Sequence, residues 1–330
     1  MLPRLGVGTF ISVGRSLDTA MQRAAKAERL GYESAYVTHI AGRDSQAVLA
    51  AYATRTSTIR LGTGVLPIYS RTPVAAAQIA ATIDELAGGR LILGLGVSHR
   101  VTVESWYGQA IDKPVREMRE YVNAVRAIFR GDQPPPDATR FPTSFAFMGY
   151  AARADFPIYL AALSPAMLRL AGEVGDGVIL WLCNPDYIRD VVVPEVTEGR
   201  RRAGKPLAGF DIVAAVPAAV TGEPETARGK LRGDLVPYFS LPFYRAMIER
   251  SGFEADVAGF DSGVAKDDPD AARAAISDRF LSTLTAIGEQ GAAAASVQRY
   301  LDAGATSPCI GAVPATDFDA TLDGLASLAR

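Results

Sequence analysis

His39 and His99 are the only two imidazoles in the 330-residue chain, and imidazole is the side chain that changes charge nearest neutral pH. Each directly follows a β-rich run, His39 after 34–38 and His99 after the apolar run that starts at 90 and continues Gly94-Leu95-Gly96-Val97-Ser98. A histidine at a strand end can relay a proton or hold a cofactor ring, or simply hydrogen-bond a loop. A third run, 59–66, carries Gly62 and Gly64 on either side of Thr63. Glycine inside a strand marks a bulge or a close approach to the backbone. Two of them near one strand end leave space for something flat, or for tight packing inside a barrel. A fourth run, 157–161, leads into Ala162-Leu163-Ser164-Pro165. Ser164 can cap a helix beginning at Pro165, and the amide groups of such a start can hold an anion; a serine there also caps a helix with no ligand present.

Other chemistry is excluded by what the sequence lacks. Gly94-Leu95-Gly96 has no third glycine and no acidic residue at the proper distance, so it does not make a dinucleotide fingerprint. There is no HExxH, GxSxG, Walker loop or metal-spaced cluster. Cys183 and Cys309 are far apart and neither belongs to a CxxC pair, which argues against a disulfide framework or a zinc site and for a reducing, cytoplasmic setting. The aromatic residues Tyr238, Phe239, Phe243, Tyr244, Phe253 and Phe260 crowd one late segment. Most read as packing, and some as the roof of an apolar substrate pocket.

These residues need a scaffold. Eight apolar runs, at 4–11, 34–38, 59–66, 90–95, 157–161, 177–182, 211–216 and 307–311, alternate with helical patterns. The helix after the first run is capped by Ser16 or Asp18 and stopped by Gly31; another starts at Thr72-Pro73 and stops at Gly88-Gly89. Such alternation fits a (β/α)8 TIM barrel or a doubly wound open sheet, and the strand count favours the barrel. In a barrel, chemistry sits at the C-terminal strand ends. We expect one barrel domain over 1–330 with a helical insertion at 218–286 after the seventh strand. The net charge is −2, from 34 basic and 36 acidic residues. That balance speaks against a nucleic-acid groove or an anionic membrane surface as partner. No run of about 18 apolar residues predicts a membrane span, and the N-terminus shows no secretory h-region.

Residues 71–99 (RTPVAAAQIAATIDELAGGRLILGLGVSH), with 27–37 (AERLGYESAYV) and 173–177 (EVGDG), resemble the luciferase-like flavin-dependent oxidoreductase superfamily. The resemblance spans essentially the whole chain and implies a (β/α)8 barrel that binds FMN or the deazaflavin coenzyme F420. Gly96-Val97-Ser98-His99 looks most like the deazaflavin branch. The resemblance further implies a cis peptide at Gly64–Val65 behind the cofactor ring and a ring-contacting pair at Thr38-His39, where relatives commonly have Asp-His. It places the cofactor against Thr63, Ser98 and His99, with a phosphate tail on the amides of Ala162, Leu163, Ser164 and the region of Pro165, joined by Gly177. The acid that some members carry after the fourth strand is missing, and Glu104 is a shifted substitute. The activity implied is hydride transfer between F420 and a small organic substrate, with His39 as catalytic residue and no metal. The alternatives are an FMN- and O₂-dependent monooxygenase and a barrel that binds without catalysis. Relatives are usually homodimers. Substrate-shaping loops are expected at 100–113, 134–153 and 234–268.

Overall fold

The computed structural model describes residues 6–11, 14 and 16–329. β1 (Gly8–Phe10) is followed by β2 (Ser34–Val37), β3 (Arg60–Thr63), β4 (Leu66–Pro67), β5 (Leu91–Gly96), β6 (Ile158–Ala161), β7 (Gly177–Trp181), β8 (Asp211–Val220), β9 (Ala286–Gly288) and β10 (Ser307–Ala312). Arg4 and Leu5, the start of the first expected strand, lie outside the described residues. Every strand pair is parallel. β8 pairs with β7 on one side, and its residues 213–218 pair with 307–312 of β10, which also pairs with β1. That contact closes the ring and decides for the barrel over the open sheet. β3 and β4 both pair with β5 and form one interrupted stave, so the barrel has eight staves. β9, absent from the sequence expectation, only flanks the last residues of β8; three residues are too few to show a period.

The helices are α1 (Leu17–Leu30), α2 (Ser45–Ala53), α3 (Pro73–Leu86), α4 (Arg100–Tyr107), α5 (Pro114–Arg130), α6 (Pro165–Val174) and α7 (Pro185–Tyr187). α7 continues through a π-turn (Ile188–Val192) into α8 (Val193–Arg202). Pro194 lacks the N–H and crowds the carbonyl four residues back, and the π-turn accommodates it. Between β8 and β9 lie α9 (Pro224–Phe239), α10 (Pro242–Arg250), α11 (Glu254–Ala265), α12 (Pro269–Ala274) and α13 (Asp278–Leu284); α14 (Gln290–Asp302) and α15 (Phe318–Leu325) complete the fold. The helical excursion expected over 218–286 therefore begins after β8 has run on to Val220. Its own core is a stack of phenylalanines, Phe239 against Phe260 and Phe280, and Phe253 against Phe280. The segment 100–113, expected as a loop, contains α4. Only Val103 of α4 is buried, so no apolar period betrayed it.

The outer helices sit close to the barrel because their inner faces are small. Ala20, Ala24 and Ala27 of α1 and Ala76, Ala77, Ala80 and Ala81 of α3 are all buried. α6 and α8 touch backbone to backbone, since a Cβ on Gly172 or Gly199 would collide with the other helix's carbonyls. Inside the barrel, Tyr36, Ile92, Tyr159, Ile179, Val213 and Cys309 form a separate apolar layer. Below it Arg60 pairs with Glu33 and Asp211, and the Tyr159 hydroxyl donates to Asp211. Burial pushes the Glu33 and Asp211 carboxyls up, and Arg60 opposes the rise. The barrel is filled at its base and through its middle, which leaves the C-terminal mouth as the open end.

Candidate active site at the barrel mouth

His39 leaves the end of β2 and is fixed by the start of α2. Its Nδ1 accepts the Ser45 backbone N–H at 3.3 Å and lies 3.1 Å from the Ser45 hydroxyl. Accepting a backbone N–H leaves Nδ1 unprotonated, so the neutral ring carries its proton on Nε2. Asp44 Oδ2 stands 3.9 Å from Nδ1, while Asp44 Oδ1 caps α2 by accepting from Gln46 and Ala47. Arg71 pairs with Asp44. Burial holds the His39 pKa below its ordinary value; Asp44 works against that shift and Arg71 adds to it. His39 is thus a neutral, oriented donor through Nε2. Thr38 beside it is exposed.

The interruption of the third stave has a definite construction. β3 pairs with β5 at Leu61 and Gly62, and pairing resumes at Leu66–Pro67. Between them, the Thr63 hydroxyl donates to the Gly94 carbonyl (2.7 Å) and accepts the Gly94 N–H (2.8 Å). Thr63 is almost fully buried, so it staples the bulge to β5 and its side chain does not line the mouth. The peptide Gly64–Val65 is cis. A Cβ on Gly64 would collide with the Phe10 ring, and one on Gly96 with Val65. Gly96, Ala161, Ala215 and Gly311 are small residues on four staves around the mouth, with Trp181 at the end of β7 between Ala161 and Ala215, over a bed made by Phe10, Gly64 and Val65.

Two residues beyond β5 lies Ser98, whose φ of 59° is in the left-handed region, sparsely populated for a non-glycine residue and frequent at functional sites. His99 then packs against Tyr238 (6.4 Å between ring centres) and Tyr244 (5.6 Å), and burial lowers its pKa. Trp181 lies 6.0 Å from Tyr238. These rings form an aromatic wall joining β5 and β7 to the helical excursion, and His99 is part of that wall. Glu104 is paired with Arg100 on the exposed face of α4 and does not replace the missing acid.

Ser164 caps α6, its Oγ accepting from Met167 at 3.4 Å. Helix geometry then leaves the Ala166 amide without an intrahelical partner. Ala162 is buried and Leu163 and Pro165 half-buried; the Leu163 carbonyl accepts from the Tyr187 hydroxyl at 2.7 Å, tying this loop to the one after β7. Gly177 is not part of this corner. It begins β7 at the base of the barrel, where a Cβ would meet the Asp211 carbonyl and the Tyr159 ring. The residues of β7's stave that do reach the rim are Leu182, also at positive φ (60°), and Asn184, which caps the next helix by accepting from Tyr187 N at 2.8 Å. Their signal was in the sequence: Asn184-Pro185 repeats the cap-then-proline form of Thr72-Pro73 and Ser164-Pro165. Phe10 carried no such signal. Among the described residues no group of His, Cys, Asp or Glu is placed to hold a metal, and no helix is long and apolar enough to cross a membrane.

A barrel with small residues on four staves around its mouth, and a cis Gly64–Val65 bulge on the third stave, is one architecture among many hosts of (β/α)8 chemistry. The family model that matches it, over residues 4–307, is that of the luciferase-like monooxygenases. The chain belongs to this family. It is therefore an enzyme, an oxidoreductase of the luciferase-like superfamily. It is 30% identical over 290 residues to 5,10-methylenetetrahydromethanopterin reductase of Methanolobus tindarius, covering 86% of each chain. Among solved structures it is similar to the coenzyme F420-dependent tetrahydromethanopterin reductase of Methanopyrus kandleri, with a TM-score of 0.82, 23% identity and 98% of both chains covered. It also matches an F420-dependent secondary alcohol dehydrogenase complexed with an F420-acetone adduct, with a TM-score of 0.79, 21% identity and 98% of both chains covered. At those identities the two structures speak for the fold.

Proposed function

We propose that this enzyme binds coenzyme F420 across the barrel mouth and transfers hydride between it and a small organic substrate. The observation that carries the reading is the fit of the mouth to a planar ring with an anionic tail. Small residues, Gly96, Ala161, Ala215 and Gly311, stand on four staves around the opening, and Gly64–Val65 with Phe10 make a flat bed. When bound, the deazaflavin supplies or accepts the hydride.

The chain's own residues bind and orient. Gly64 and Val65 support one face of the ring. His39 Nε2–H donates to a ring oxygen, stabilising charge there, and Ser45 keeps that tautomer. The start of α6, with the Ala166 amide, and the Asn184 corner take the phosphate tail at the positive ends of their helices. Ile40, Val101, Trp106 and Phe243 are exposed apolar side chains in the segments that follow β2, β5 and β8. Titration of the purified protein with F420 and, separately, with FMN tests the reading, each followed by cofactor fluorescence. F420 binding at least about ten-fold tighter than FMN, about 1.4 kcal/mol, is expected. FMN binding tighter than F420 overturns the assignment in favour of an FMN-dependent monooxygenase.

A further inference from the structure

We propose that Tyr238 is the acid–base residue of the reaction, and that the cavity it lines seats an uncharged, apolar carbonyl compound or, in the opposite direction, the corresponding alcohol. The inference deepens the proposed function and rests on it for the hydride.

A cavity of about 420 Å³ lies under α9, over the ends of β7, β8 and β10. That is the size of a small-molecule site, and an apolar lining with a few convergent polar groups is its usual character. Trp181, Pro217, Leu235, Tyr238 and Gly311 line it, and Asp234 is the charged group on its lining. The cavity adjoins the ring bed. A Cβ on Gly311 would stand 3.6 Å from Phe10 Cβ, and the Phe10 ring lies on Gly64, so one aromatic side chain bridges cavity floor and bulge.

Two polar groups on the wall, the Trp181 indole N–H and the Tyr238 hydroxyl, can donate. Trp181 Nε1 is buried and has no hydrogen-bond partner. Its ring lies 6.0 Å from the Tyr238 ring; burial pushes the Tyr238 pKa up, the indole N–H pulls it back, and Asp234 adds to the rise. The phenol keeps its proton at neutral pH and can give it. A buried N–H left unpaired is costly, and two neighbouring donors on an apolar wall fit one acceptor, a carbonyl oxygen. His99 and Tyr244, 6.4 and 4.8 Å from the Tyr238 ring, hold it in place. Asp234 disfavours an anionic substrate.

In the reducing direction the balance is as follows. A hydride from the reduced deazaflavin forms the new C–H bond at the carbonyl carbon. The C=O π pair moves to oxygen, the Tyr238 O–H bond breaks, and its proton completes the alcohol. The substrate gains two electrons, the cofactor loses two, and water reprotonates the phenolate.

The test uses cyclohexanone and cyclohexanecarboxylate as probes. In a Trp106→Phe background, Trp181 is the remaining tryptophan, and its emission reports on the cavity without cofactor. Cyclohexanone quenches that emission; Gly311→Leu, which fills the cavity from an open position, weakens the quench at least about ten-fold, and the carboxylate binds at least about ten-fold more weakly than the ketone. With reduced F420, Tyr238→Phe leaves cyclohexanone binding within about three-fold and lowers kcat by about 10²-fold or more. Unchanged quenching in Gly311→Leu, or tighter carboxylate binding, overturns the site. F420 bound normally by Tyr238→Phe with kcat above a third of wild type overturns the role of Tyr238 alone. Wild-type protein that quenches with cyclohexanone but does not bind F420 overturns the proposed function, and the acid–base role with it.

Discussion

Replacing His39 with alanine removes one acceptor, Nδ1, and one donor, Nε2–H, and the two losses are separable. Nδ1 accepts the Ser45 N–H at 3.3 Å. Losing that bond costs about 1 kcal/mol, and α2 survives because Asp44 still caps Gln46 and Ala47. A melting temperature lower by about 1–3 °C is expected. The donor matters more. A single preorganised donor aimed at developing charge contributes about 10²–10³-fold in rate, roughly 3–4 kcal/mol. His39→Ala should therefore lose about 10²–10³-fold in hydride transfer with F420 while cofactor binding weakens by about ten-fold or less. His39→Gln sets an amide N–H near the position of Nε2 and should recover to within about ten-fold of wild type; His39→Asn, which reaches only the position of Nδ1, should not. Single-turnover absorbance of the deazaflavin measures the step directly. Retention of more than a third of the wild-type rate by His39→Ala, or equal recovery by the Asn and Gln variants, would refute a role carried by Nε2–H.

His39 and His99 both have pKa values held below the ordinary histidine value near 6.5 by burial, so the unfolded chain binds protons that the folded chain resists. Their stabilising contribution is complete above about pH 6.5 and is lost as pH falls through the folded values; calorimetric melting temperatures between pH 5 and 7.5 should rise with pH. At the barrel base, Arg60→Met removes the cation facing Glu33 and Asp211 and should cost about 3 kcal/mol in urea unfolding at neutral pH. The loss should shrink on acidification, because burial already raises both carboxyls and protonation removes their unpaired charge.

Local chemistry was legible without coordinates wherever it is written in neighbouring residues. Ser16, Asp44, Thr72 and Ser164 cap the helices that follow them, because a cap needs only a side-chain oxygen and amides two or three residues on. The strand positions followed from apolar runs, and the resemblance in 71–99 pointed to Gly64–Val65. α4 escaped because its helical face is mostly solvent-exposed. Gly177 was misplaced because its role depends on which end of β7 it occupies, and the strand's pairing with Tyr159 and Asp211 sets that.

What the sequence alone determined is the set of elements, their caps and breaks, and the small residues that leave room at strand ends. Ring closure by β8 and β10 decided the rest. It brought Phe10, Gly64 and Gly311, more than two hundred residues apart at the extremes, into one bed. It also set Trp181 against Tyr238. Such contacts depend on side-chain direction across staves distant in the chain, and no local pattern of residue types encodes that direction.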